Sequence, residues 1–186
     1  MNKKIVIFIS GKGSNAKNLI NYFSDNKEFV ISHVFSNNKH SDLTSYLVNT
    51  KVQYFLFEEK EISGKVFDEL KMINPKLIIL AGFLKKIPLS YISFFKNKII
   101  NIHPSLLPKY GGNGMYGSNI HKKVIQNKES ESGITIHYVS KEYDAGKIIF
   151  QKKIKVDKND TPKKLEEKIH KLEYEYFPKI VESLLT

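Results

Sequence analysis

Lys4-Ile5-Val6-Ile7-Phe8-Ile9-Ser10-Gly11-Lys12-Gly13-Ser14-Asn15-Ala16 decides the fold. Lys4–Ile9 holds a continuous, largely β-branched run, the mark of a strand buried on both faces. Two glycines follow at once, and Asn15–Phe23 then has helical composition. A buried strand that turns through glycine straight into a helix is the opening unit of an α/β sheet.

The pattern repeats outward from this unit. Phe29–Phe35 is a second strand, Asp42–Val48 a short helix and Val52–Phe57 a third strand. Ile62–Ile73 has helical spacing at Val66, Leu70 and Ile73, and Asn74-Pro75 stops it. Leu77–Ala81 and Lys98–Ile102 are further strands. This order predicts an α/β fold: a Rossmann-like, mostly parallel central sheet with helices on both faces. Beyond it come a glycine-rich loop at Tyr110–Gly117, a helix at His121–Gln126 and an alternating strand at Gly133–Val139. Lys147–Val156 supplies one or two further, partly antiparallel strands. Thr161-Pro162 is a helix start, with Thr as N-cap and Pro in the first turn. Leu165, Ile169, Leu172 and Tyr176 share one face of that helix, and Pro178 disturbs its last turns.

With 186 residues and neither repeat nor linker, residues 1–186 are expected to form a single domain. The absence of cysteine removes any disulfide, thiolate nucleophile or Cys-based zinc site. The apolar run after Lys3-Lys4 is too short for a secretory signal, and no stretch is long enough to span a membrane. A cytoplasmic protein is expected. The net charge of +11 comes entirely from lysine, with no arginine and no basic run longer than two. A nucleic-acid reader would use arginine forks on bases and phosphates. The lysines instead predict a solvated surface that attracts small anions.

Three segments carry candidate chemistry. Gly11-x-Gly13-x-x-Ala16 lets the backbone turn tightly at a helix N-terminus, whose free amides suit an anion. The formal dinucleotide fingerprint fails at its second element, because Ser36-Asn37-Asn38 supplies no acid for a ribose. A phosphate therefore fits better than NAD, with a purely structural turn as the plain alternative. In Asn101-Ile102-His103, residues two apart face one side of an extended segment. An amide donor beside an imidazole suits a reaction that develops an oxyanion and moves a proton. A structural Asn–His hydrogen bond is the bland alternative, but the following Pro104-Ser105-Leu106-Leu107-Pro108 is too polar and constrained for simple core. Tyr143-Asp144-Ala145-Gly146 is by itself only a turn, and gains meaning if Asp144 meets His103. His33 and His40 fit no pattern, His137 suits a structural role on a strand, and His121 suits a helix surface. A Ser105–His103–Asp144 hydrolase triad lacks the small-residue elbow a strained nucleophile needs.

These segments, in this order, resemble the 10-formyltetrahydrofolate-dependent formyltransferases from Lys4 to about Pro178. The specific pieces are Ile9–Asn15, Leu80-Ala81-Gly82-Phe83, Asn101–Tyr110 and Tyr143–Gly146. Asn-x-His with a distant Asp marks the wider family. The Gly-Ser-Asn loop narrows it to the branch acting on glycinamide ribonucleotide in purine biosynthesis. The resemblance implies a formyltransferase fold and formyl transfer from 10-formyltetrahydrofolate to the nucleotide's amine, a step of one-carbon metabolism that needs no metal. It implies catalytic Asn101, His103 and Asp144. Gly13, Ser14, Asn15, His170 and Glu173 would hold the phosphate and ribose. Folate would lie against Phe83, Leu84, Lys85, Lys86, Ile87, Asn101, Ser140, Lys141, Glu142, Tyr143 and Asp144. Many relatives carry arginine where Lys85 stands; lysine keeps the charge and loses the planar fork. The long Tyr110–Gly117 loop is expected to act as a lid. The partners implied are these two small molecules, with no nucleic acid or membrane, and a monomer or homodimer. Formyltransferases acting on methionyl-tRNA or sugars, and the deformylases, would be expected to carry a further domain.

Overall fold

The computed structural model of the chain describes residues 2–39 and 43–186. His40 and the Asp42 start expected for the second helix lie outside them. The strands are β1 (Lys3–Ile9), β2 (Phe29–Ser36), β3 (Gln53–Leu56), β4 (Leu77–Leu80), β5 (Ile99–His103), β6 (Glu131–Tyr138) and β7 (Ile148–Lys155). The helices are α1 (Ser14–Tyr22), α2 (Leu43–Leu47), α3 (Lys65–Ile73), α4 (Leu89–Phe94), α5 (Ser118–Gln126) and α6 (Pro162–Ser183). One sheet holds the strands in the order β3-β2-β1-β4-β5-β6-β7; β1 to β5 run parallel, β6 pairs antiparallel to β5, and β7 antiparallel to β6.

The predicted α/β sheet is observed, with alternate residues of β1 feeding two cores. Ile5, Ile7 and Ile9 pack with α1, α2, α5 and α6, while Val6 and Phe8 pack with α3 and α4. Phe8 stacks on Phe35 at 5.0 Å between ring centres and meets Phe83 edge-on at 5.3 Å. Burying one such ring is worth about 2–3 kcal/mol.

Several expectations are corrected. Gly133–Val139 was expected to alternate, yet Ser132–His137 is buried throughout. Ile134 and Ile136 enter one core, while Thr135 and His137 lie beneath the segments that follow β5 and β6. The Thr135 hydroxyl donates to Ser105 O (2.6 Å) and accepts from the Leu107 amide (3.0 Å) and Gln151 Nε2 (2.9 Å). Its polar side chain is thus buried against a polar loop, which pattern alone does not distinguish from solvent. Helix α3 begins at Lys65 rather than Ile62, because Glu58 and Glu61 form a capping box around a 3₁₀ turn at Glu59–Glu61. Helix α5 begins three residues earlier than expected, at Ser118. Helix α4 was not foreseen.

Pro178 does not end α6, which continues to Ser183. A proline removes one amide and frees the carbonyl four residues back. That carbonyl, on Tyr174, accepts a hydrogen bond from Asn18 Nδ2 of α1 at 3.0 Å. Phe177, Pro178 and Val181 are buried on the inner face, so packing on α1 and the sheet outweighs the missing helical bond. At the other end, Thr161 caps α6 as expected by accepting from the Lys164 amide (3.2 Å). No helix among the described residues is long and apolar enough to cross a membrane.

The chain leaves β1 toward β2 on one side and later returns to pair β4 on its other side. Ligands of open α/β sheets bind at such a reversal, beyond the carboxyl ends of the strands. Here Ser10 N donates to Gly82 O (3.0 Å) and Leu84 N to Ser10 Oγ (3.0 Å), so the loops after β1 and β4 frame a common crevice.

Candidate active site

The crevice opens into a cleft of about 350 Å³. Its walls come from the β1–α1 loop, the β4 and β5 ends, the loop before α5, the Tyr143-Asp144 turn and the face of α6. All three candidate segments therefore meet in one place, together with His170 and Glu173. Gly13 sits at φ +76°, a left-handed conformation that glycine adopts without strain. No side chain caps α1, which leaves its first-turn amides available at the cleft. Asn15 Nδ2 donates to Glu173 Oε2 at 2.9 Å, joining α1 to α6. Burial raises the Glu173 carboxyl above the usual range, against the lowering effects of Asn15 and His170.

Beside this cleft lies a smaller cavity of about 60 Å³. Phe83, Lys85, Lys86 and Ile87 line one side, Ser140–Asp144 the other, and Asn101 and His137 its end. Leu84 faces the main cleft instead, and Tyr143 and Asp144 border both spaces. Lys85 pairs with Glu59 at 2.7 Å, and Lys86 lies 5.8 Å over the Tyr143 ring. Phe83, Ile87, Val139 and Tyr143 offer apolar surface to a flat ring, and Lys85, Lys86 and Lys141 offer cationic partners to carboxylates attached to it. Among the described residues, no group of three or more His, Asp or Glu is arranged to hold a metal ion.

Asp144 lies where the two spaces meet. Its Oδ1 is 3.5 Å from Asn101 Nδ2, 3.5 Å from His103 Nδ1 and 3.6 Å from His137 Nε2, and its Oδ2 accepts from the Gly112 amide at 2.9 Å. Burial by itself would raise this carboxyl, but His137, His103 and Gly112 together hold it below the usual carboxylate range. Asn101 Nδ2 also donates to His137 Nε2 at 3.1 Å. His137 Nδ1 faces its neighbour's carbonyl, Tyr138 O, at 2.9 Å; a carbonyl only accepts, so Nδ1 carries a proton and Nε2 is the nitrogen turned to Asn101. Gly146 makes the turn possible, because a Cβ on it would lie 1.7 Å from Tyr138 O.

His103 is 4% exposed, and burial lowers its pKa below the ordinary value, opposed by Asp144 and the Tyr110 carbonyl. The imidazole is thus neutral at neutral pH, beside an ionised carboxylate. Ser105 takes no part in this cluster: its hydroxyl donates to Lys109 O at 2.7 Å, and it is buried away from the cleft. Ser105, His103 and Asp144 accordingly do not form a hydrolase triad.

Two histidines depart from expectation. His137 was given a structural role, yet it contacts Asn101 and lies near Asp144. The antiparallel register sets it opposite Asn101, a pairing that its own strand pattern does not reveal. His121 was expected on a helix surface; it is instead buried at the cleft wall, where loss of solvent pushes its pKa down to about 4. Its spacing with Val124 on the inner face of α5 was the available signal. Glu166, on α6, also lines the cleft and had no motif to mark it.

A family model described as formyl transferase matches residues 3–181. The chain is 34% identical to the chloroplastic phosphoribosylglycinamide formyltransferase of Arabidopsis thaliana over 96% of its own length and 64% of that protein. It spans 61% of the Vigna unguiculata chloroplastic relative. It is 32% identical to the Bacillus subtilis phosphoribosylglycinamide formyltransferase, covering 98% of this chain and 95% of that one. Among solved structures, phosphoribosylglycinamide formyltransferase from Anaplasma phagocytophilum superposes with a TM-score of 0.86 at 33% identity, over 97% of this chain and 86% of that one. Glycinamide ribonucleotide transformylase 1 from Geobacillus kaustophilus gives 0.89 at 26% identity over the full length of both. With its carboxylate, imidazole and amide gathered at the switch point of this sheet, the chain belongs to the formyl transferase family.

Proposed function

We propose that the chain transfers the formyl group of 10-formyltetrahydrofolate to the primary amine of glycinamide ribonucleotide, yielding formylglycinamide ribonucleotide and tetrahydrofolate. It would act in the cytosol as a single domain, monomeric or homodimeric. The observation that carries the reading is the junction at Asp144. There an uncapped helix N-terminus fit for a phosphate and a side cavity fit for a pterin open on the same Asn–His–Asp cluster.

In this reading Gly13, Ser14 and Asn15 bind the phosphate through the first-turn amides of α1, and His170 and Glu173 face the ribose. The folate lies against Phe83–Ile87 and Ser140–Asp144. The amine attacks the formyl carbon, and the oxyanion that forms takes hydrogen bonds from Asn101 and from His103 once protonated. Asn101 has slack for this, because its 3.5 Å contact to Asp144 is long. The proton leaving the amine is taken up by His103, whose imidazolium Asp144 stabilises, and is returned to N10 as the carbon–nitrogen bond breaks. Fixing both substrates in one cleft supplies much of the acceleration.

The test is to mix purified protein with glycinamide ribonucleotide and 10-formyltetrahydrofolate and follow tetrahydrofolate release. Release without the nucleotide would point to a deformylase and overturn the reading. Asn101→Ala and His103→Ala should each lower turnover by about 10²–10³, with nucleotide affinity nearly unchanged. Unchanged turnover in either variant defeats its role.

A further inference from the structure

His103 Nε2 lies 2.7 Å from the carbonyl oxygen of Tyr110. A carbonyl only accepts, so the neutral ring carries its proton on Nε2 and turns the Nδ1 lone pair toward Asp144, 3.5 Å away. Tyr110 delivers that carbonyl from φ +57°, a left-handed conformation that side-chain-bearing residues avoid. Such a conformation persists only where its surroundings hold it.

The surroundings are specific. The Tyr110 phenol donates to Glu129 Oε1 at 3.0 Å and accepts from Asn127 Nδ2 at 2.8 Å. Lys109 Nζ reaches both Glu129 oxygens at 3.1 Å, and the Lys109 carbonyl accepts from Ser105 Oγ at 2.7 Å. The segment after β5 is thereby tied to the stretch that joins α5 to β6. We propose that Tyr110 is a positioning residue: its phenol, clamped by Glu129 and Asn127, holds its carbonyl on His103 Nε2 and so fixes which ring nitrogen is free to take a proton. The idea rests on the formyl-transfer reading for its kinetic part, while its structural part stands alone.

Two measurements test it. Nitrogen-15 spectra of the histidine rings should show His103 of the unaltered chain protonated at Nε2, and a mixture of the two tautomers in Tyr110→Phe. In assays of formyl transfer, Tyr110→Phe should lower kcat about tenfold, the effect of roughly one hydrogen bond. KM for either substrate should stay within about twofold, since the clamp acts on the reacting state and not on substrate binding. Glu129→Gln keeps an acceptor for the phenol and should retain most of kcat. Glu129→Leu should match Tyr110→Phe, and the two together should cost no more than either alone. If Tyr110→Phe fails to fold, Glu129→Leu carries the same test.

A wild-type tautomer in a folded Tyr110→Phe variant would overturn the proposal, as would a Glu129→Gln defect as deep as that of Glu129→Leu. A chain that shows the Nε2-protonated ring but no formyl transfer would sink the functional reading and leave the tautomer assignment intact.

Discussion

His103 sits between two acceptors, the Tyr110 carbonyl on one nitrogen and the Asp144 carboxylate near the other. Both favour the imidazolium, while burial favours the neutral ring and prevails in the resting site. A group so balanced takes a proton when a neighbouring amine becomes acidic and gives it up again readily. For a base that must be neutral, activity is lost as the pH falls through its pKa. The acid limb of kcat/KM should therefore lie below 6.5, as one apparent value for the coupled His103–Asp144 pair. Asp144→Asn removes a group that raises the His103 pKa, so that limb should move to still lower pH while turnover falls about a hundredfold or more. A limb that stays in place would separate Asp144 from the titration. The pairing of Asn101 with His103 was legible in sequence because the two share one side of a strand, whereas Asp144, on a turn that means little by itself, was expected beside them only through the family resemblance. His137 was not, because its neighbourhood depends on strand register.

At the scale of elements, the turn between β6 and β7 brings Asp144 into the cleft, and Gly146 lets that turn close on β6. Gly146→Ala would drive a methyl group into the Tyr138 carbonyl, a backbone atom that has little room to yield. The expected cost is about 3 kcal/mol or more in urea unfolding, with activity lost out of proportion because Asp144 moves with the turn. Full activity in the alanine variant would show that the turn can be rebuilt without displacing the carboxylate. Most elements were legible: β-branched runs, the Asn74-Pro75 stop and the Thr161-Pro162 start all correspond to observed boundaries. Helix α4 escaped because its six residues between Pro88 and Phe95 are too few for a helical period to emerge. Pro178 was expected to disturb the last turns of α6; the helix runs on through it, and the partner that satisfies the Tyr174 carbonyl, Asn18, lies on another helix that its own sequence does not reveal.

Across the whole molecule, 30 lysines against 19 acidic residues give the chain a net charge of +11, and both proposed substrates are anions. Lys12 lines the main cleft, and Lys86 and the Glu59-paired Lys85 line the side cavity. Such a field accelerates encounter and is screened by salt, as the Debye length shrinks from roughly 30 Å at 0.01 M to about 8 Å at 0.15 M. Raising ionic strength over that range should lower kcat/KM severalfold and leave kcat unchanged; equal loss in both would place the salt effect on the folded cluster instead of on encounter.

The hydrogen bond from Asn15 to Glu173 joins residues 158 positions apart, whereas the Asn101–Asp144 contact spans 43. Closing the longer loop costs about 1 kcal/mol more in chain entropy. The two sides of the cleft thus draw on different lengths of chain. The reacting cluster is built from residues 101–144. The wall that would grip the ribose joins the two ends of the chain and is complete only with the final helix in place.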